Sequence, residues 1–324
     1  MKALVCGVTG QDGSYLAQFL LAKGYQVWGT SRDAQASSLA GLKALGIDGS
    51  VHLLSMAQND FRSVLSAVEK SDPDEIYFLS GQSSVGLSFE QPVETLESIV
   101  TGVLNILEVM RLRKKQVRLY NASSSECFGD TAAAPANALT PFRPRSPYAV
   151  AKASAHWLVA NYREAYGLYA CNGILFNHES PLRPKRFVTQ KIVHAAHRIA
   201  RGGNERLTLG RLDISRDWGW APEYVVPMWR MLQQDEPGDF VVATGESNRL
   251  EDFVAAAFGH FGLDWRAHVD TSPALYRPDD ILHSAGDPSA TFAALGWQAQ
   301  HRMGDVVAMM CAAVAADGTT HQGN

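Results

Sequence analysis

Short apolar segments alternate with longer amphipathic segments through the first half of the chain. The short segments are rich in β-branched and aliphatic residues, which is typical of buried strands. The longer segments repeat apolar residues every three or four positions, which predicts helices that bury one face. This alternation predicts an α/β fold with a doubly wound parallel sheet. The predicted strands are 3–6, 25–30, 51–55, 75–80, 117–122 and 170–176, and the predicted helices are 13–23, 60–70, 92–113 and 146–166.

Four polar or glycine positions follow or end predicted strands, namely Gly7, Ser80, Ser123 and Asn177. The carboxyl ends of parallel strands meet at one edge of a sheet, where ligands of doubly wound folds bind. We therefore expect the functional site at this edge.

After Asn177 the alternation of short apolar segments and longer amphipathic segments becomes less regular, and prolines interrupt shorter elements. This change predicts a smaller second lobe, which ends in a helix at about 304–316. The predicted division is a dinucleotide-binding domain at 1–177 and a mainly ligand-binding lobe at 178–324, whose chain can cross back to the sheet.

Composition narrows the classes of protein that remain. The 324 residues are 46% hydrophobic and 19% charged, which is ordinary for globular proteins and excludes a disordered chain. A net charge of −4 argues against a nucleic-acid or anionic-membrane surface. No signal-peptide pattern or long apolar span is apparent, so a cytoplasmic protein is expected. The four cysteines lie too far apart for a metal motif: Cys6, Cys127, Cys171 and Cys311.

The glycine-rich segment GVTGQDG at 7–13 lies between the first strand and the first helix. Glycines in this position let the backbone approach a pyrophosphate, and the helix N-terminus attracts its charge. A tight turn without a ligand is the alternative, but the strand before and the helix after favour a Rossmann-type dinucleotide site. The expected cofactor contacts here are Gly7, Thr9, Gly10, Gln11, Asp12 and Gly13.

Cofactor choice is read after the second strand, where Arg32 precedes Asp33. An arginine suits the 2′-phosphate of NADP, whereas a carboxylate suits the ribose hydroxyls of NAD. Asp33 would repel that phosphate if it faced the same pocket, and Arg32 can also be a solvated loop charge. NADP is the expected cofactor, and NAD remains possible.

Tyr148 and Lys152 lie four residues apart, on one face of a predicted helix. Lowering a phenol pKa by about three units requires about 4 kcal/mol. An ammonium about 4 Å away supplies about that energy at an effective dielectric constant of about 20. Ser124, at the end of the fifth strand, adds a hydroxyl at the same edge. These three residues suit removal of an alcohol proton during hydride transfer to a nicotinamide, although the same spacing also occurs on exposed helices.

Glu126 distinguishes between possible reactions. A ketone reductase or a 4-epimerase needs no further base, whereas elimination of water beside a new ketone needs a group that takes the α-proton. A carboxylate two residues after Ser124 can take that proton. The alternative is a surface glutamate that caps the next loop.

Several longer motifs carry a resemblance to a known family. They include GQDGSYL at 10–16, SFEQP at 88–92, PRSPYAVAK at 144–152 and NGILFNHESP at 172–181. With these motifs the chain closely resembles the GDP-mannose 4,6-dehydratase family of the extended short-chain dehydrogenase/reductase superfamily, over nearly its whole length.

The resemblance implies conversion of GDP-mannose to GDP-4-keto-6-deoxymannose. Tyr148, with Ser124 and Lys152, would deprotonate the C4 hydroxyl while hydride passes to NADP, Glu126 would take the C5 proton as the C6 hydroxyl leaves, and the hydride would return to C6. The resemblance also implies a homodimer or homotetramer. It adds Ser80, His178 and Arg183 as cofactor contacts, and Ser83, Asn177, Val188, Lys191, Arg211, Arg216, Arg277 and Asp280 as substrate contacts.

The chain departs from the family at a few positions. The family usually has threonine at Ser124 and glutamate at Asp280. It commonly has paired arginines followed by serines after the second strand, where this chain has SRDAQ at 31–35, and a Gly-Asp motif after the third strand is missing. Two alternatives therefore stay open. One is a dehydratase, reductase or epimerase of another GDP-sugar, such as a GDP-heptose, and the other is a non-catalytic protein that binds nucleotide sugars or dinucleotides.

Overall fold

The computed structural model describes residues 1–113 and 115–320. Its strands are β1 (Lys2–Cys6), β2 (Gln26–Ser31), β3 (His52–Ser55), β4 (Glu75–Phe78), β5 (Arg118–Ser124), β6 (Ala170–Leu175), β7 (Asn177–Glu179), β8 (Leu207–Leu209), β9 (Ser215–Trp220), β10 (Asp239–Val242), β11 (Ser247–Arg249) and β12 (Val269–Thr271). Its α-helices are α1 (Gln11–Ala22), α2 (Ala40–Ala44), α3 (Phe61–Ser71), α4 (Val85–Glu90), α5 (Pro92–Leu96), α6 (Gly102–Leu112), α7 (Pro147–Tyr166), α8 (Val188–Ala200), α9 (Ala221–Met231), α10 (Leu250–His260), α11 (Ser289–Leu295) and α12 (Met303–Thr320).

The central sheet is parallel and has seven strands in the order β3-β2-β1-β4-β5-β6-β10. The strand order reverses beside β1, as in a doubly wound sheet, and the predicted fold class is confirmed. The prediction of six strands was wrong by one. The seventh strand, β10, has only four residues and comes from the half of the chain where the pattern is loose.

Helices cover both faces of this sheet. On one face, α1 and α9 enclose a core that contains Leu16, Leu20, Met228 and Met231. On the other face, α3, α6 and α7 enclose a second core that includes Val64, Ile106 and Val159. Burial on both faces explains why the strands are almost continuously apolar.

A smaller lobe follows the sixth strand. It contains the three-stranded sheet β11-β9-β7 and the pair β12-β8, with α8, α10 and α12 around their own apolar core. The chain also contributes α9 and β10 to the central sheet layer. The division at residue 177 stays a prediction.

Some predicted helices have different bounds in the structure. The helix expected at 92–113 is α5, a π-helical turn over Glu97–Thr101, and α6. The last helix, expected at 304–316, spans Met303–Thr320, and the chain beyond residue 320 lies outside the described residues. Within residues 1–113 and 115–320, none of the helices combines the length and apolar character that a membrane crossing requires.

Candidate active site

The glycine-rich turn links β1 to α1. Gly7 has a φ of +85°, which side chains other than glycine rarely adopt, and it packs against Ser80, which follows β4. Gly10 is the N-cap of α1, and a side chain at Gly13 would overlap the Gly7 carbonyl oxygen. Thr9, Gln11 and Asp12 complete the turn and open the helix. The turn therefore brings a helix N-terminus close to the carboxyl edge of the sheet, as a pyrophosphate site requires.

The residues expected near the adenosine lie at the end of β2. Arg32 is exposed, and its guanidinium lies 3.9 Å from the Glu94 carboxylate. The Asp33 carboxylate accepts hydrogen bonds from the backbone N–H groups of Gln35 and Ala36, at 2.9 and 3.1 Å. This carboxylate thus stabilises its own turn.

A cavity of about 500 Å³ opens at the same edge of the sheet, between the sheet and the smaller lobe. Its wall brings together the four residues expected to do the chemistry, Ser124, Glu126, Tyr148 and Lys152. Glu126, which is half-buried, is among the lining residues rather than on the outer surface. The wall can therefore present a carboxylate and a phenol to one ligand.

Two structural elements hold these four side chains. Ser124 is the last residue of β5, and its hydroxyl accepts a hydrogen bond from the Glu126 N–H at 3.3 Å, which fixes the turn that carries the glutamate. Ser146 caps α7 by accepting a hydrogen bond from the Ala149 N–H at 3.1 Å. Tyr148 lies in the first turn of α7 and Lys152 one turn later, so both side chains reach the cavity.

Partial burial of Tyr148 has the largest effect on the pKa of its phenol. Burial raises the pKa of the phenol, whereas a hydrogen bond with Ser124 and the charge of Arg183 lower this pKa. Burial also lowers the pKa of Lys152 to about 8. The Lys152 ammonium donates to the Ala122 carbonyl oxygen at 2.8 Å and lies 5.9 Å from the centre of the Tyr148 ring. The backbone of β5 therefore anchors the lysine beneath the tyrosine.

The far side of the cavity is rich in arginine. Arg216 is buried, and its guanidinium lies 3.6 Å from Asp280, which lies 3.7 Å from Arg277. Among the described residues, Nη2 of Arg216 and Oδ1 of Asp280 are buried without a hydrogen-bond partner. Such orphaned polar atoms are typical of a wall that a polar ligand completes. The other expected substrate contacts that line the cavity are Ser83, Asn177, Val188, Lys191 and Arg211.

A buried pair connects the glycine-rich turn to the smaller lobe. His178 in β7 places Nε2 at 2.9 Å from both carboxylate oxygens of Asp12. Both residues line the cavity, as does Arg183, whose Nε lies 3.2 Å from the Glu179 carboxylate. The sequence analysis predicted Asp12 and His178 as separate cofactor contacts. It did not predict that the two side chains contact each other.

The family model for GDP-mannose 4,6 dehydratase matches residues 4–310 of the chain. GDP-mannose 4,6 dehydratase 1 of Arabidopsis thaliana is 45% identical over 318 residues, which cover 95% of this chain and 88% of the plant protein. GDP-mannose 4,6-dehydratase of Vibrio cholerae is 42% identical, over 95% of this chain and 92% of its own length.

The chain belongs to the GDP-mannose 4,6-dehydratase family.

Solved structures share its fold at lower identity. A dTDP-glucose 4,6-dehydratase from Streptomyces venezuelae, with NAD bound, has a TM-score of 0.87 and 20% identity, with 99% of this chain and 98% of that chain covered. A UDP-glucose 4-epimerase of Thermus thermophilus in complex with NAD has a TM-score of 0.85 and 24% identity, with 97% and 99% covered.

Several cavity residues were not predicted from the sequence. They belong to the short helix α4, to the loop before α8 and to the small lobe, where the apolar pattern gives little guidance. For the loop before α8, a cluster of basic residues after Pro181 was a signal in the sequence. The unpredicted lining residues include Ser84, Gly86, Glu179, Arg186, Phe187, Thr189, Thr208, Trp218 and Leu275.

Proposed function

We propose that this protein is a GDP-mannose 4,6-dehydratase, a hydro-lyase that forms GDP-4-keto-6-deoxymannose. Membership of the family supports this reaction. The observation that carries the proposal is the convergence of Glu126 and Tyr148 on one cavity wall. A reductase or an epimerase would need the phenol alone, whereas elimination needs the additional base.

Tyr148 acts first in the proposed mechanism, as the base that takes the proton of the C4 hydroxyl. Ser124 supports the phenolate by its hydrogen bond, which lowers the pKa of Tyr148 against the larger effect of burial. Lys152, held by the Ala122 carbonyl beneath the ring, adds a positive charge at pH values below about 8. Oxidation at C4 makes the C5 hydrogen acidic.

Glu126 then removes the C5 proton. The resulting carboxylic acid gives this proton to the departing C6 hydroxyl, which leaves as water. After hydride has returned to C6, the proton held by Tyr148 passes to C5, and both side chains regain their starting charge. The sugar loses one water, and no net oxidation or reduction occurs.

A nicotinamide dinucleotide fits the residues of the glycine-rich turn. The turn offers an open helix N-terminus, and the buried Nε of Arg183, although 3.2 Å from the Glu179 carboxylate, makes no aligned hydrogen bond within the described residues. The residues expected to hold it are those of the turn with Ser80, His178 and Arg183. A bound dinucleotide would supply the hydride acceptor and donor for the redox steps at C4 and C6.

We propose NADP as the preferred dinucleotide. Arg32 is exposed at the end of β2, and its contact with Glu94 is long, so its guanidinium is available to a 2′-phosphate. The carboxylate of Asp33 is engaged by two backbone N–H groups, which reduces its ability to repel that phosphate.

The diphosphate of a GDP-sugar suits the arginine-rich side of the cavity. Arg216 and Arg277 share Asp280 as a counter-ion at distances above 3.5 Å, so both guanidinium groups keep donors for phosphate oxygens. Lys191 lines the same cavity. Arg211 is paired closely with Asp213, at 2.6 Å, and would have to leave this partner to contribute.

The proposed assembly is a homodimer or homotetramer. Exposed apolar side chains on α5 and α7 support association of copies, namely Val93, Val150, Trp157 and Tyr166. The expected cytoplasmic location stays a prediction.

The decisive experiment incubates purified protein with GDP-mannose and NADP, and in parallel with NAD, and analyses the sugar nucleotide by mass spectrometry. We expect a product lighter by one water, without net formation of NADPH. In a Glu126→Gln variant we expect dehydration to fall by a factor of about 10² to 10⁴, as for loss of a general base. Exchange of the C4 hydrogen with the dinucleotide should persist, because Tyr148 is unchanged.

Failure of the wild-type protein to dehydrate GDP-mannose would refute this substrate. Equal loss of C4 oxidation and dehydration in Glu126→Gln would contradict the role given to Glu126. A Glu90→Gln variant serves as the control, since Glu90 ends α4 and is not among the residues that line the cavity.

A further inference from the structure

Asp12 places a carboxylate in the first turn of α1, where the proposed cofactor would put its pyrophosphate. The helix N-terminus attracts negative charge, and a carboxylate in this turn competes with an anionic ligand for that attraction. An unpaired Asp12 would therefore weaken dinucleotide binding. The structure gives this carboxylate a specific partner.

The hydrogen bonds of His178 define its charge. Its Nδ1 lies 2.7 Å from the Phe176 carbonyl oxygen, which can only accept, so Nδ1 carries a proton. Its Nε2 lies 2.9 Å from both oxygens of Asp12, a geometry that suits a donor facing an ionised carboxylate. With both nitrogens protonated, His178 is an imidazolium.

The surroundings keep this pair intact. Burial opposes both charges, but the interaction with His178 lowers the pKa of Asp12 and the interaction with Asp12 raises the pKa of His178. His178 is 6% exposed, and its ring is stacked on Tyr224 with centroids 4.6 Å apart. Gln11 donates from Nε2 to Asp12 and to the His178 carbonyl oxygen, both at 3.1 Å. Because His178 is buried and Asp12 is partly buried, salt screens this pair less than it screens a pair on the surface.

We propose that His178 is the counter-ion that prevents Asp12 from repelling the cofactor pyrophosphate. This inference rests on the proposed function, since it requires a dinucleotide at the glycine-rich turn. His178 acts through Asp12 and is a positioning residue. The pair also joins α1 to β7. The contact that neutralises the charge of Asp12 therefore also holds the glycine-rich turn beside Asn177 in the smaller lobe.

The test measures the dissociation constant of NADPH by its fluorescence for four proteins: wild type, His178→Gln, Asp12→Asn and the double variant. Glutamine keeps a donor for Asp12 but removes the charge. We expect His178→Gln to bind NADPH about 10-fold more weakly, which corresponds to about 1.4 kcal/mol. We expect the double variant to bind NADPH at least about 3-fold more tightly than His178→Gln, because removal of the Asp12 carboxylate removes the repulsion.

A purely structural role makes the opposite prediction. If the pair only holds the fold together, Asp12→Asn weakens binding as much as His178→Gln, and the double variant is no better than either. That result would overturn the proposal. Circular dichroism identifies any variant that does not fold. If His178→Gln is one of them, His178→Asn takes its place, and a double variant that binds NADPH no better than this single variant would overturn the proposal.

The matched control is His301→Gln. His301 forms a comparable pair with Glu223, with 2.7 Å between Nδ1 and Oε1, and neither is among the residues that line the cavity. We expect it to bind NADPH within about 2-fold of wild type. If the wild-type protein binds no dinucleotide, the proposed function and this inference both fail. If it binds NADPH but the four proteins do not show the expected order, only the inference fails.

Discussion

Tyr148 lies in a partly buried position that disfavours its phenolate, and individual neighbouring groups oppose this effect. Burial raises the pKa of the phenol, and the hydrogen bond with Ser124 is the first of the contacts that lower it. The Lys152 ammonium donates to a backbone carbonyl instead of to the phenol. Ser124 is therefore the neighbour that most offsets the effect of burial on the pKa of Tyr148.

Removal of this hydroxyl should change both rate and pH dependence. We expect Ser124→Ala to lower kcat by a factor of about 10 to 100, at or below the lower end of the range for a group that transfers the proton itself, because Ser124 only assists Tyr148. Because the Ser124 hydrogen bond lowers the pKa of Tyr148, its loss raises that pKa, and the acidic limb of the profile of kcat against pH should move to higher pH. Steady-state dehydration rates across a pH series measure both effects.

The family usually has threonine at this position, which provides the control. Ser124→Thr keeps the hydroxyl, so its acidic limb should coincide with that of wild type. An Ala variant with a lower rate but an unshifted acidic limb would mean that Ser124 acts on the substrate and leaves the pKa of Tyr148 unchanged.

Local spacing was sufficient to predict some site residues but not their contacts. Tyr148 and Lys152 lie on one helix, and Ser124 and Glu126 on one strand end, so their proximity follows from the chain itself. The contact between Asp12 and His178 joins positions 166 residues apart, and no local pattern encodes it. It depends on the way β7 enters the smaller lobe.

Predictions at the level of elements succeeded where the apolar pattern was long and failed where segments were short. The central strands and α7 were predicted within a few residues, because each buries a regular apolar face. The segment 92–113 was predicted as one helix, but a π-helical turn at Glu97–Thr101 divides it into α5 and α6. The four residues of β10 become a strand only because β6 offers a free edge for pairing.

The N-cap residue of α7 affects both the stability of this helix and the orientation of Tyr148 in the candidate active site. Ser146 is buried and accepts the Ala149 N–H, and Tyr148 lies inside the turn that this bond closes. We expect Ser146→Ala to reduce the free energy of unfolding by about 1 kcal/mol, as for other lost N-caps. We also expect it to lower kcat by several-fold, because the first turn that orients Tyr148 loosens. Chemical denaturation and steady-state kinetics measure the two effects.

Asp60 offers a matched control for this cap. It is the N-cap of α3 and accepts from the N–H groups of Arg62 and Ser63, but α3 packs away from the cavity. Asp60→Ala should lose a similar amount of stability with unchanged kcat. If Ser146→Ala also left kcat unchanged, the cap would be a stability feature only.

At the scale of the whole molecule, the two halves of the sequence share one structural layer. Helix α9 packs on α1, where Trp229 donates to the Tyr25 hydroxyl at 3.0 Å. Strand β10 extends the sheet, and its first residue, Asp239, binds Arg163 of α7 through two hydrogen bonds of 2.9 Å. The central sheet layer therefore needs residues from both sides of position 177.

This sharing predicts that a fragment of residues 1–177 does not fold on its own. Without α9, the apolar face of α1 is exposed to water, and without β10 the edge of β6 is left open. Arg163 would also lose Asp239, and removal of one partner from a largely buried ion pair costs about 3 kcal/mol or more. Such losses approach the whole stability of a typical domain, about 5–15 kcal/mol.

Thermal and urea unfolding, followed by circular dichroism, compare this fragment with a second one that ends at residue 244 and therefore contains α9 and β10. We expect a cooperative transition for the full chain and none for 1–177. The longer fragment should regain part of the cooperativity, because it restores both the cover of α1 and the seventh strand. Its transition should stay below that of the full chain, since it lacks α10 and α12, which close the core of the smaller lobe over α8. Cooperative unfolding of 1–177 alone would show that the sheet tolerates the loss of β10 and α9, and that the sequence-based boundary at 177 also separates two units of folding.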